Sequence, residues 1–464
     1  MLGSRRSSAA AWVPFVVVVV FVGAAAHPAA KKVAPRPKAP TVADPDSSDF
    51  VATPARWPGF PMLPDGRFPI VAYSGPHAPQ TTDFRYAELA QTGINVTLKM
   101  LDDPGTPAAN QQRIQVAARH NVWSFILDNR LIAPGRAYTK GWRAEVESTV
   151  ATYAREPNVL GYFLADEPTA RDYLSFAAIT QELAKRDPGR PGLVDFMGFP
   201  GPGIHYSGMS YSKYLRGFLD RAHPALFAVD SYPLRKGNDF PYYVTCWESV
   251  STISRQTGTP FWPILLLSPY ANLRVPSTSE MAWQAFIPMA YGARGIVWFT
   301  YWTPSPAATD FHDGPMTYDG RRTSAFGHLT DVNARVQALG QEMGRWEWLG
   351  TRQVGTLPYG CRAFAQANGL RVQSPIPLTV GFFKQMSGQP YALFVNRDYK
   401  RVANVKIFAA DTLLRWTHAP GLYRPLDAAP EPGSKLVRNS LTVSPGDAEL
   451  VRLPRGFDYL ATQH

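Results

Sequence analysis

The segment GYFLADEP, Gly161–Pro168, closes an apolar run with two adjacent carboxylates, Asp166 and Glu167. Tandem acids repel each other, and burial beside an apolar strand raises the pKa of one of them, so this pair could supply a proton donor near neutral pH. In the plainer reading Asp166 caps a following helix and Glu167 faces solvent, because Pro168 stands where a helix can begin. Other apolar runs also end in acids: Asp128 after Leu127, Asp195 after Val194, and Asp230, with Ser231 and Tyr232, after Val229. Tyr301 and Trp302 close the run that starts at Ile296. Rings offer a flat apolar platform to the C–H face of a sugar, while carboxylates supply proton transfer and charge stabilisation. An oxocarbenium-like transition state needs both. Taken singly, Asp128 and Asp195 read more readily as caps or ion-pair partners, and Trp262 and Trp298 as core packing.

Competing chemistries find less support. The 9 His are scattered, with no HExxH or similar ligand spacing, so no metal is expected. No G-x-S-x-G elbow occurs, and no glycine fingerprint for phosphates follows the first strand, so no cofactor is expected. Cys246 and Cys361 are the only cysteines; they cannot build a disulfide framework but could form one bridge in an exported chain. Asn95, Val96 and Thr97 form a glycosylation sequon that falls inside an expected strand and is discounted.

The elements that must position these residues follow a repeated rhythm. From Phe68 onward, short runs rich in β-branched and aromatic residues alternate with helical periods, each pair taking about 30 residues. The expected strands are Phe68–Tyr73, Ile94–Leu101, Trp123–Leu127, Val159–Ala165, Gly192–Met197, Leu226–Val229, Phe261–Leu267 and Ile296–Tyr301. Helices are expected at Phe84–Gln91, Gln111–His120, Trp142–Arg155, Tyr173–Arg186 and Tyr211–Ala222, and Ser277 with Glu280 has the spacing of a capping box. Eight such units imply an α/β fold, a (β/α)8 TIM barrel, whose chemistry sits at the carboxyl ends of the strands. A long helix from Ser324 to Trp348 follows, with Leu329, Val332, Val336, Leu339 and Met343 on one stripe. Beyond it, period-two runs separated by Pro and Gly turns predict a C-terminal antiparallel, sandwich-like β-domain.

With 464 residues, 45% of them hydrophobic, the chain can bury a large core, and 43 Pro with 12% aromatics speak against a helical bundle. The net charge of +11 divides into +5 over residues 1–45, −1 over 46–351 and +7 beyond. A nucleic-acid enzyme would carry its basic stripe on the catalytic body, which here is neutral, so no nucleic-acid partner is expected. Arg5 and Arg6, an apolar run from Ala9 and the small residues Ala24–Ala26 read as a signal peptide over residues 1–26. Retention of that run as an uncleaved membrane anchor stays open. Residues 27–49 read as a Pro- and Lys-rich tether, 50–350 as the barrel domain and 351–464 as the β-domain. The expected location is secreted or periplasmic.

GYFLADEP, then FAVDSYP (Phe227–Pro233) and AYGARGIVWFTYWTP (Ala290–Pro304), resemble the fourth, sixth and eighth strands of secreted glycoside hydrolase-like barrels related to clan A. DGPMTYDGRRTSAFGHLTDVN (Asp313–Asn333) is similar to the segment by which many of them leave the barrel. The resemblance implies an acid/base Glu at the end of strand four, where Glu167 stands. Two departures accompany it. Asp166 replaces the usual Asn, and strand seven ends in Leu267, Ser268, Pro269 and Tyr270, with no carboxylate where a nucleophilic Glu would stand. Three routes stay open: substrate assistance by an acetamido group, inversion with Asp230 or Asp128 activating water, and binding without cleavage. The expected function is cleavage of a glycosidic bond in a poly- or oligosaccharide. Glu167 would be the acid, Asp166 its charge partner, Asp230 a second carboxylate, and Asp128, Tyr232, Tyr301 and Trp302 would contact the carbohydrate. The alternative is a non-catalytic carbohydrate-binding or cell-surface barrel.

Overall fold

The computed structural model describes residues 60–98, 105–133, 135–201, 206–306, 310–312, 314–365, 369–457 and 459. The expected signal peptide and tether lie outside these residues. Strands and helices alternate: β1 Ile70–Ala72, α1 Asp83–Gln91, β2 Val96–Thr97, α2 Pro107–Arg119, β3 Trp123–Leu127, α3 Trp142–Tyr153, β4 Val159–Asp166 and α4 Tyr173–Arg186. The alternation continues through β5 Gly192–Met197, α5 Tyr211–Ala222, β6 Phe227–Asp230, α6 Tyr243–Thr257, β7 Phe261–Leu266, α7 Thr278–Ala290, β8 Ile296–Phe299 and α8 Ser324–Met343. The eight strands close into a parallel barrel in sequence order, with β8 paired to β1. This is the (β/α)8 barrel that the rhythm of the sequence implies.

Side chains alternate across the barrel wall. Val71, Val96, Phe125, Leu193, Ala228, Ile264 and Val297 fill the interior, while Ile70, Val194, Phe227, Leu265 and Ile296 pack outward against the helices. Trp262 also lies inside, edge-on to Phe125 at 5.7 Å. Its ring needs Gly295: a Cβ there would stand 2.4 Å from Trp262 Nε1. The helices start as their sequences direct. Ser277 and Glu280 form the full capping box of α7, a feature worth about 1 kcal/mol.

Several elements differ from expectation: β2 spans Val96–Thr97 where Ile94–Leu101 was expected, and α2 begins at Pro107 instead of Gln111, behind its cap Thr106. β1 is shorter because the Asn95 side chain substitutes for ladder bonds, accepting from Ile70 N at 2.9 Å and donating to Phe68 O at 2.8 Å. This use of a buried Asn95 also accords with discounting the sequon. β8 stops at Phe299, because Thr300 Oγ1 turns to Trp302 O and Ser268 Oγ. α8 ends at Met343 instead of Trp348. There the half-buried Arg294 donates to Gly344 O at 2.7 Å and Trp346 O at 2.6 Å, satisfying carbonyls just beyond the helix end.

The chain then enters the β-domain: β9 Glu347–Val354, β10 Arg371–Gln373, β11 Leu378–Lys384, β12 Pro390–Asn396, β13 Ala403–Ala409, β14 Leu414–Trp416, β15 Tyr423–Pro425, β16 Asp427–Pro430, β17 Val437–Val443 and β18 Ala448–Arg452. Two antiparallel sheets result, ordered β10-β13-β17-β16 and β15-β14-β18-β12-β11-β9. Val380, Phe394, Val405 and Leu441 build the core of this domain. The larger sheet turns its other face to the barrel, so that Phe383, Tyr391, Leu393 and Leu450 share one apolar cluster with Phe286 of α7 and Leu339 of α8. The approach is close enough that a Cβ on Gly381 would meet Ala290 O at 2.3 Å. Cys246 and Cys361 are both free and buried, so the bridge that two cysteines allow is not formed.

Candidate active site

A β-bulge decides where the tandem acids point. In the β4–β5 ladder Phe163 pairs with Leu193, but the next pair is Ala165 with Val194, leaving Leu164 as the extra residue. Strict alternation would put Phe163 and Asp166 on opposite faces. The bulge returns Asp166 to the interior face, opposite Asp195, whose strand also sends Leu193 inward. Asp230 shares its face with the interior residue Ala228 and lies level with Met197, one step nearer the mouth. Three adjacent strands therefore carry carboxylates into one end of the barrel.

Glu167 follows with φ +48°, a left-handed conformation that a non-glycine residue adopts at a cost of about 1–2 kcal/mol. Its amide donates to Asp195 O at 3.0 Å, which fixes the turn. Its carboxyl hydrogen-bonds to Asp230, and burial above all, then the charges of Asp230, Asp166 and Asp195, pushes its pKa well above the usual carboxylate range. Burial also pushes Asp230 up to about 7, opposed by hydrogen bonds from Glu167 and from Gly198 N–H at 3.1 Å. Two like charges in hydrogen-bond contact and shielded from water resist joint ionisation, so the pair holds a proton more tightly than a lone carboxyl would.

Rings face the acids. Tyr73, next after β1, meets Phe299 of β8 at 4.9 Å and 66° and Phe163 at 5.9 Å. Burial, reinforced by Asp166 and Asp195, raises the Tyr73 phenol well above its ordinary pKa, and its hydroxyl reaches toward Asp166. Tyr232 packs on Phe299 at 5.5 Å, and Tyr270 joins them at 6.2 Å from Tyr232 and 5.9 Å from Phe299. One end of the barrel thus has an acidic half, on β4 to β6, and an aromatic half. Among the described residues no three His, Cys, Asp or Glu side chains are grouped to hold a metal ion.

Of the residues singled out in the sequence, Glu167, Asp166, Asp230 and Tyr232 come together here. Asp128 does not. It points outward, buried, accepting from Arg130 Nε at 2.9 Å and from Tyr153 of α3 at 2.8 Å, and so latches β3 to its helix. Tyr301 and Trp302 also leave the pocket wall, because β8 ends two residues before Tyr301. Tyr301 is buried toward Glu88 and Arg322. Trp302, 1% exposed, is held between Arg85, 5.5 Å from its ring, and His77, edge-on at 5.6 Å. Phe299 takes the place foreseen for them. It could have been found by continuing the alternation from Val297, and Tyr73 likewise from Val71. At the end of β7, Ser268 is buried and donates to Thr300 O at 2.8 Å, bracing the two strands together.

No family model matches the sequence, and no curated protein matches it. Solved structures match the fold. The β-galactosidase from Bacillus circulans sp. alkalophilus aligns over 83% of this chain and 99% of its own, with TM-score 0.57 and 9% identity. A catalytic mutant of Gan42B, a GH42 β-galactosidase from G. stearothermophilus, aligns over 84% and 99%, with TM-score 0.55 and 9% identity. A glycoside hydrolase family 5 structure from Bacteroides vulgatus ATCC 8482 aligns over 86% and 90%, with TM-score 0.51 and 12% identity. At such identities the likeness is one of fold: this chain shares its (β/α)8 barrel with these glycoside hydrolases.

Proposed function

We propose that this glycoside hydrolase-like barrel is an exported enzyme that cleaves a glycosidic bond in an oligo- or polysaccharide, with Glu167 as general acid. The observation that carries the reading is the contact of the half-buried Glu167 with the buried Asp230 at the acidic, ring-lined end of the barrel, where loss of water and neighbouring negative charge raise both carboxyls and favour a retained proton. Glu167 would protonate the glycosidic oxygen as the C1–O bond breaks, and the cationic character at C1 would be offset by Asp166 and Asp195. Asp230 then acts on Glu167 and not across the sugar. Carboxyl groups in hydrogen-bond contact are too close to flank a ring, which needs about 5 Å for retention or 6.5–9.5 Å for inversion. The partner on the far side is either Asp166 or Asp195 activating water, or the substrate's own acetamido oxygen. Tyr73 would hold Asp166 in place.

One observation favours a second reading, a barrel that binds carbohydrate without cutting it: the end of β7 offers Ser268 and Tyr270 in place of a nucleophilic carboxylate. A panel of aryl glycosides separates the two. Glu167→Gln is expected to lower turnover of substrates with poor leaving groups by about 10²- to 10⁴-fold and to spare activated ones. Asp166→Asn should abolish activity if Asp166 activates the water or offsets an oxazolinium-type intermediate, and retain much of it if Asp195 activates the water. Absence of hydrolysis by the wild type on every substrate would leave the binding reading.

A further inference from the structure

The loop leaving β6 carries more than the pocket needs. Immediately after Asp230 it contributes Tyr232 to the aromatic half of the site. Arg235 then pairs with Leu273 of the neighbouring loop and sets its guanidinium 4.5 Å from the Phe240 ring. Phe240 lies 5.7 Å from Tyr242, and Tyr242 lies 6.3 Å from Tyr359. Tyr359 belongs to the β-domain, on the loop after β9. Its carbonyl accepts from Thr245 Oγ1 at 2.7 Å, which pins that loop to the first turn of α6, at the end of the barrel where the acids lie.

These rings are not core. Tyr242 is 38% exposed and Tyr359 74%, and Phe240 is half-buried beside them. Isolated exposed rings need no explanation, but a run of them leading from a candidate site marks a binding surface. The run is also held still. Asp239, within the same loop, accepts from Arg235 N at 3.3 Å, from Arg274 at 3.0 Å and from Tyr399 of the β-domain, so little order would have to be imposed on binding. It is joined to the site through the backbone, because Arg235 pairs with Leu273, whose amide donates to Tyr270 O at 2.9 Å, and Tyr270 packs against Tyr232 and Phe299.

We propose that Phe240, Tyr242 and Tyr359, linked to the pocket through Arg235 and Tyr270, form a track for a glycan chain of several sugar units, one bond of which lies over Glu167. Ring faces would take the C–H faces of successive sugars, and the tyrosine hydroxyls and Arg235 would meet their hydroxyl groups, the same pairing of surfaces that the pocket offers. The track rests on the carbohydrate-hydrolase reading and extends it from a bond to a polymer. It also gives the β-domain a share in substrate recognition.

Affinity electrophoresis tests it, using gels containing soluble galactan, xylan, hydroxyethylcellulose or chitosan, with aryl glycoside hydrolysis assayed in parallel. Wild type and Glu167→Gln should be retarded alike by at least one polysaccharide. The double variant Tyr242→Ala/Tyr359→Ala should bind that polysaccharide about tenfold more weakly, at an unchanged melting temperature, since both rings are exposed and the Thr245 bond uses the Tyr359 backbone. Equal retardation of the double variant would overturn the track. So would a wild type that cleaves aryl glycosides yet is retarded by none of the polymers, a result that leaves the hydrolase reading intact. Ring-dependent retardation without hydrolysis by any of the proteins would sustain the track and remove the hydrolase reading.

Discussion

A carboxylic acid that must keep its proton near neutrality can rely on burial and on negative neighbours, and Glu167 has both. Asp230 supplies the nearest of those charges, so Asp230→Asn should let the Glu167 pKa fall and move the alkaline limb of kcat/KM to lower pH. Stability responds with a definite sign. The pKa of Asp230 is raised from 3.8 to about 7 in the folded chain, so its ionisation costs the native state stability as pH rises through that window. The melting temperature of Asp230→Asn relative to wild type should therefore climb between about pH 4 and pH 8; a difference that does not change with pH would place the proton elsewhere. At this scale the acids were legible, because charged groups ending apolar runs are costly unless they have work to do. Tyr73 and Phe299 were passed over although the alternation from Val71 and Val297 points them inward, since a ring in a β-branched run looks like packing until the site it faces is known. Asp128 carried the same signal as Asp230, and only its pairing with Arg130 and Tyr153 tells them apart.

At the level of elements, the alternation of strand and helix was readable because each period reflects which face is buried. The bulge at Leu164 was not, since an extra residue in a ladder leaves no mark on hydrophobicity, yet it sets the face that Asp166 occupies. Strand ends were misjudged where side chains replaced backbone partners, as Asn95 does for β1. The contact between β11 and the end of α7 is set by a missing side chain. Gly381→Ala would drive a Cβ into Ala290 O, which must move from 2.3 Å. We expect a loss of about 1–3 kcal/mol, read as a lower denaturant midpoint with an unchanged slope.

For the molecule as a whole, the larger sheet of the β-domain completes the apolar layer over α7 and α8. Expression of residues 50–350 alone should therefore give aggregated or molten material, and the full chain a single calorimetric transition. A soluble, cooperatively melting fragment would show the β-domain to be dispensable. Export belongs to this scale too, and N-terminal sequencing of secreted material should read from near His27; an intact Met1 in the membrane fraction would favour an anchor. The two unpaired thiols have a practical consequence. Cys246 packs behind the site, its Sγ accepting from Phe199 N at 3.4 Å, while Cys361 lies beneath the β-domain loop, 3.7 Å from the Tyr291 hydroxyl. Burial raises them to about 12 and about 11, so neither is reactive while the fold is closed. A thiol reagent added to the native protein becomes a clock with two hands: Cys361 labels when the β-domain lifts, and Cys246 labels only when the barrel itself opens.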